Sequence, residues 1–195
     1  MSHFHYDTEG LVLHGVSVGE HDRFLTLLTR EFGLVRAFAR SVRAERSKLR
    51  YLLQDNSRAR ISLVRGRELW RITGVVSLDN SYAVLRRREE KQLVARVFLL
   101  IRRLAQGEER NERLFDLTTE LLAHLARGTQ PQELAAVEQL TVLRILAALG
   151  YHSTSPVFSP LLSDVALEPL TLAQVGEKQS QAVSEINALL GATQL

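Results

Sequence analysis

The sequence predicts an α+β protein, with a small five-stranded β-barrel first and an all-α helical bundle after it. Two patterns carry this expectation. Over residues 8–78, short apolar runs with period-two alternation are separated by Gly-bounded turns, with no intervening helical pattern. From about residue 84 the apolar positions recur instead at helical spacing. The expected organisation is therefore a barrel over 1–82 and a helical domain over 83–195.

The first strand is expected at TEGLVLHG (8–15), closed by a turn at Gly15 and Gly19. RFLTLLTR (23–30) leads through EFG into LVRAFARSV (34–42), two apolar runs joined by a short Gly-containing turn, which is a hairpin signal. RARISLVR (58–65) alternates again, Gly66 turns the chain, and ELWRITGVVSL (68–78) supplies the fifth strand. Residues 43–57 form a long connection, with a short helical turn expected at RYLLQ. Beyond the barrel, Leu93, Val97, Ile101 and Leu104 mark one helix face, and Leu114, Leu117, Leu121 and Leu125 a second. A third helix starts at Pro131 and stops at Gly150. Leu134, Val137, Leu140, Arg144 and Leu146 spread over most of its surface, which makes it central in the bundle. STSPVFSPLLSDVALEPL (153–170) holds three of the four prolines and reads as an irregular connector before a last helix over about 171–190.

The charge is unevenly placed. The chain has 25 Lys and Arg against 22 Asp and Glu, a net +3, but residues 36–71 hold 11 cations against Glu45, Asp55 and Glu68, a local +8. Only Lys48, Lys91 and Lys178 are lysines, and the planar arginine fork suits phosphate and stacks on bases. An Arg-rich composition explains the same count without a ligand. Apolar residues make up 45% of the chain, which marks it as globular.

Several chemistries find no support. There is no cysteine, so disulfides, thiolate zinc sites and a Cys nucleophile are out. No Gly-Lys dipeptide, GxGxxG or GxSxG occurs. His3 and His5 lack a third ligand at metal spacing, and His14 and His21 beside Glu20 and Asp22 read as a polar turn with no nucleophile. EEKQ (89–92) and GEERNE (107–112) read as solvated acidic faces. No signal peptide or membrane span is visible, so a cytoplasmic location is expected, with no cofactor, metal or catalytic residue.

The positive signal is the basic region. If Val35, Ala37 and Ala39 face the core, then Arg36, Phe38 and Arg40 share the outer face. The same parity puts Arg58 and Arg60 outside on the fourth strand and Arg71 outside on the fifth, with Trp70 in the core beside Ile72. With Arg43, Arg46, Lys48 and Arg50 in the adjoining loop, and Arg65 and Arg67 at the next turn, these residues are the candidate nucleic-acid-binding set. Cations that follow phosphates and aromatics that stack bases are the combination used by barrels that bind single strands. Phe38 is the expected stacking residue.

The ordered set TEG-x-VL, GE-x-DR, TLLTRE-x-G and V-x-A-x-AR at the start of a basic loop resembles the opening of the recombination mediator RecO family. LQ at 53–54, RGRELWRIT (65–73) and LRILAALGY (143–151) extend the likeness. The resemblance implies an OB-fold barrel, nucleoid-associated binding to single- and double-stranded DNA, and annealing of complementary strands. It also implies cooperation with RecR, indirect assistance to RecA loading, and contact with the C-terminal tail of single-strand DNA-binding protein, all without catalysis. Many members carry a four-Cys zinc motif after the Leu-Gly-Tyr segment; here the segment HSTSPVFSPLLSD stands there, so zinc is not expected. LQDN replaces the usual LQPF, and the chain is shorter at its C-terminal end, in AVSEINALLG. An adaptor that docks an acidic protein and an RNA-binding module are the alternative readings of the same basic barrel.

Overall fold

Alternation at the N-terminus produces the strands it suggests: β1 (His5–Val18), β2 (Asp22–Thr29), β3 (Gly33–Ala39), β4 (Arg58–Arg65) and β5 (Trp70–Ser77). The computed structural model describes residues 4–67, 69–78 and 81–193, so the His3–His5 pair lies partly outside the described residues. The sheet closes in the order β1-β2-β3-β5-β4, an OB-type barrel. Four of the five pairings are antiparallel, but β3 and β5 run parallel. The reason is the closure itself: the chain travels from β3 through β4 and returns as β5 on the far side, so the last seam joins strands of like direction. β1 is long enough to pair with both β2 and β4, and its register shifts between Val12 and His14 where the strand bends.

The inner face is apolar at alternate positions. Val12, Leu25, Leu27, Val35, Ala37, Ala59, Ile61, Leu63 and Ile72 form one buried cluster. The two barrel ends are closed differently. At one, Tyr6, Phe32 and Trp70 meet edge-on or tilted, with ring centroids 5.3–5.6 Å apart. At the other, Leu53 is fully buried and follows α1 (Leu49–Leu52), the short helical turn in the 43–57 connection.

The chain divides into two compact units, residues 1–84 with 105–112, and 85–104 with 113–195. The acidic segment 107–112 is therefore not simply solvated. Glu108 accepts a hydrogen bond from Trp70 Nε1 at 2.8 Å and lies 3.2 Å from Arg65, and Glu112 lies 3.8 Å from Arg30. Gly33, at φ +63, lets this segment approach: a Cβ there would sit 2.0 Å from the Glu109 carbonyl oxygen.

The second unit contains α2 (Arg88–Leu104), α3 (Glu112–Arg127, whose first residue belongs to the barrel unit), α4 (Leu134–Ala148), α5 (Pro169–Gly176) and α6 (Gln179–Ala192). Helices α2 and α3 are amphipathic; α4 is buried over most of its length, as its all-round apolar pattern requires. The single terminal helix expected over 171–190 is instead two, broken at Glu177–Lys178; both pack on α4, and Leu172 and Val175 of α5 and Ala182 of α6 are buried. The expected 153–170 connector is irregular up to residue 168, except for one 3-10 turn at Ser159–Leu161, and its last two residues, Pro169 and Leu170, open α5. Its apolar anchors Phe158, Leu162 and Leu167 are buried. Among the described residues no helix is long and apolar enough to cross a membrane, and no group of three or more His, Cys, Asp or Glu is placed to hold a metal ion.

Candidate nucleic-acid interface

Register decides which of the basic residues meet. Phe38 of β3 lies opposite Phe24 of β2 on one side and Arg71 of β5 on the other. The rings of Phe24 and Phe38 lie 5.1 Å apart, tilted by 54°, and both side chains are half-buried. An outward row Phe24–Phe38–Arg71 thus crosses three strands, with Arg36 two residues before Phe38 on β3 and Arg40 two residues after it, just past the strand's end. Arg36, Arg40 and Arg71 are exposed and have no carboxylate partner among the described residues. Phe24 was not among the sequence candidates. Its signal was present in RFLTLLTR, where Phe24 and Thr26 alternate with the core residues Leu25 and Leu27.

The remaining candidates are distributed differently. Arg58 and Arg60 on β4 face β1, not β3. Glu9 binds Arg58 Nη2 at 2.8 Å and lies 3.7 Å from Arg60. Parity puts Arg58 and Arg60 outside, as it does Arg36 and Arg40, but strand order separates the two pairs, because β5 inserts between β3 and β4. Arg65 stacks over Trp70 at 5.4 Å and pairs with Glu108, so much of its charge is met internally. Arg67 is exposed at the β4–β5 turn. Trp70 is 3% exposed and belongs to the core, as its parity with Ile72 suggests. Arg43, Arg46, Lys48 and Arg50 are exposed along the 41–57 connection, which leaves β3 through Ser41 at φ +52, with the Ser41 N–H bound to Asp22 Oδ1 at 2.7 Å. His14 and His21 are solvent-accessible and lie 3.9 Å from Asp55 and Glu20, respectively.

The hydrogen bond from Arg58 holds the Glu9 carboxyl below its ordinary range, helped by the charges of Arg30 and Arg60 and opposed by partial burial. A depressed folded-state value stabilises the fold above the unfolded pKa, and that contribution is lost as pH falls through the folded value. The parent protein should therefore lose barrel stability from about pH 4.3 downward. Glu9→Gln should be less stable than the parent at neutral pH, and the two curves should converge in acid. Urea unfolding between about pH 3 and 7 reads this; parallel curves would show that the pair contributes nothing.

Comparison with known proteins points the same way as the geometry. Residues 1–80 match the family described as Recombination protein O N terminal. The chain is 32% identical over 149 residues to the DNA repair protein RecO of Dehalococcoides mccartyi strain CBDB1, covering 75% of this chain and 56% of that protein. It is 34% identical over 158 residues to the protein of the same name from Myxococcus xanthus strain DK1622, covering 78% and 61%. A third relative of that name, from Gloeothece citriformis strain PCC 7424, is 32% identical over 147 residues, 74% of this chain and 51% of its own. In each case the match spans less than two thirds of the relative's length.

Proposed function

Because this chain belongs to the RecO family, we propose that it acts in DNA repair and recombination as a non-enzymatic mediator, binding DNA on the outer face of β2, β3 and β5 and annealing complementary strands. The observation that carries this reading is the row Phe24–Phe38–Arg71 flanked by Arg36 and Arg40, which meet no carboxylate among the described residues. Two aromatic edges at half-burial offer a platform to unstacked bases, and three cations without internal acids offer partners to phosphates. A strand bound there has part of its charge neutralised, which lowers the repulsion a complementary strand meets; annealing then needs no nucleotide hydrolysis. Double-stranded DNA would use the phosphate contacts without the stacking. RecR, the tail of single-strand DNA-binding protein and, through them, RecA loading belong to the same proposal.

The test is annealing of two complementary oligonucleotides, one labelled, with and without the protein, together with anisotropy over a salt series. Annealing should accelerate in proportion to bound strand, and log K should fall with log salt by about 0.7 per phosphate contacted. Binding with no salt dependence, or no acceleration at saturation, would refute the mechanism.

A further inference from the structure

The barrel end closed by Leu53 carries a second basic feature, on the opposite side of the sheet parity from Phe24 and Phe38. A cleft of about 240 Å³ opens there, lined by Ser17, Arg23, Val42, Arg43, Arg50 and Gln54. Arg23 sits next to Phe24 in the chain, so it projects to the other side of β2. Its guanidinium is fixed, donating to the Leu53 carbonyl at 2.9 Å and to Asp55 Oδ1 at 2.6 Å. Gly15 makes room for it, since a Cβ there would lie 2.0 Å from Arg23 Nη2. Asp55 offsets the Arg23 charge, but Arg43 and Arg50 are exposed and meet no carboxylate among the described residues. Among the described residues the Arg43 side chain reaches the Gly19 carbonyl, at 3.5 Å, while its own N–H is held by His21 O at 2.8 Å. Arg50 stands on α1, whose chain continues into the buried Leu53. Two uncompensated guanidinium groups with separately anchored backbones therefore border one small polar cleft.

The residue after Arg50 is Tyr51, 70% exposed on the same helical turn. Tyr51 is not part of the cleft's lining but directly follows the lining residue Arg50, and an exposed aromatic one residue from a cleft-lining arginine offers a base a π-face next to a phosphate held there, which a general anion site does not need. We propose that this end of the barrel is a nucleotide-binding site for single-stranded DNA, separate from the β2–β3–β5 face, with a phosphate between Arg43 and Arg50 and the adjoining base on Tyr51. This rests on the reading that the barrel binds DNA, and it adds a second strand contact to it.

Tyr51→Trp converts the platform into a reporter, since the one native tryptophan, Trp70, is buried. Oligo(dT) at about 0.15 M salt should quench the introduced indole while anisotropy follows total binding. In that background, Arg43→Ala with Arg50→Ala should weaken the quenching midpoint about fourfold, the share of the one phosphate that the two arginines hold at this salt. Thermal unfolding should be unchanged, because the altered side chains are exposed. Inorganic phosphate alone at about 50 mM should leave the indole emission unquenched. Binding seen by anisotropy with no quenching of that emission would overturn the loop site and leave the face reading intact. Quenching of equal size by inorganic phosphate would overturn base stacking. Normal quenching in a protein whose Arg36, Arg40 and Arg71 had been replaced without loss of affinity would overturn the face and leave the loop site.

Discussion

At about 0.15 M salt, the combined variant Arg36→Ala, Arg40→Ala, Arg71→Ala should bind single-stranded DNA about 50-fold more weakly than the parent. The figure follows from counterion release. A contact with a single strand contributes about 0.7 to the salt slope, hence about fourfold in affinity between 0.15 M and 1 M salt, and three contacts multiply. The salt slope should fall by about 2, and the two proteins should converge near 1 M. Stability should hardly move, because none of the three side chains has a carboxylate partner to lose among the described residues. The companion variant Phe24→Ala, Phe38→Ala separates stacking from charge. It should weaken binding by about 1–3 kcal/mol per base stacked, at every salt concentration alike. If the arginine variant kept the parental slope, phosphates would not lie on this face, whatever the loop does.

Arg144→Met should destabilise the helical unit by about 2–4 kcal/mol, lowering its melting temperature by roughly 10–20 °C. Arg144 is 1% exposed on α4. Its Nε donates to the Leu161 carbonyl at 2.9 Å, and its Nη1 to those of Val165 and Ala166 at 3.1 and 2.8 Å. Arg113 of α3 donates to the intervening Leu162 carbonyl. Two guanidinium groups thus hold the connector that has no regular ladder of its own, and Asp164 turns it by accepting the N–H groups of Val165 and Ala166. Burial lowers the Arg144 pKa from the ordinary arginine value, with Asp164 opposing, but a guanidinium remains charged at any physiological pH. Methionine keeps much of the volume and removes every donor, so the loss isolates the hydrogen bonds. Arg144→Lys should not rescue, since one ammonium cannot reproduce the fork across three carbonyls. Amide exchange over 159–167 should accelerate in both variants. Parental stability in the methionine variant would mean that water serves those carbonyls equally well.

Arg144 also shows where sequence reading stops. Its position among Leu134, Val137, Leu140 and Leu146 made α4 central, and the helix is central. Nothing local shows that the arginine itself is buried, because its partners are backbone carbonyls 17 to 22 residues away. The GEERNE segment is a similar case. Acid-rich and short, it reads as solvated, yet Glu108 reaches Trp70 and Arg65 across 38 and 43 positions. The break between α5 and α6 has no proline at Glu177–Lys178 to announce it.

The basic barrel was legible to a different depth. Alternation assigned Arg36, Phe38, Arg40 and Arg71 to the outer surface and Trp70 to the core, and the burial agrees. Side-chain parity is a property of a single strand, so one strand's residues suffice to determine it. Which strands are neighbours is not such a property. The parallel β3–β5 seam brings Arg71 beside Phe38, while β4 carries Arg58 and Arg60 to Glu9. The sequence by itself determined the α+β order of elements, the inner and outer faces of each strand, and the excess of arginine over 36–71, because these rest on spacing and composition within short windows. Only the tertiary structure decided which arginines stand beside an aromatic without a nearby acid and which are neutralised by distant acids. Charge compensation is a matter of ångströms in space, and barrel closure sets those distances without regard to separation along the chain.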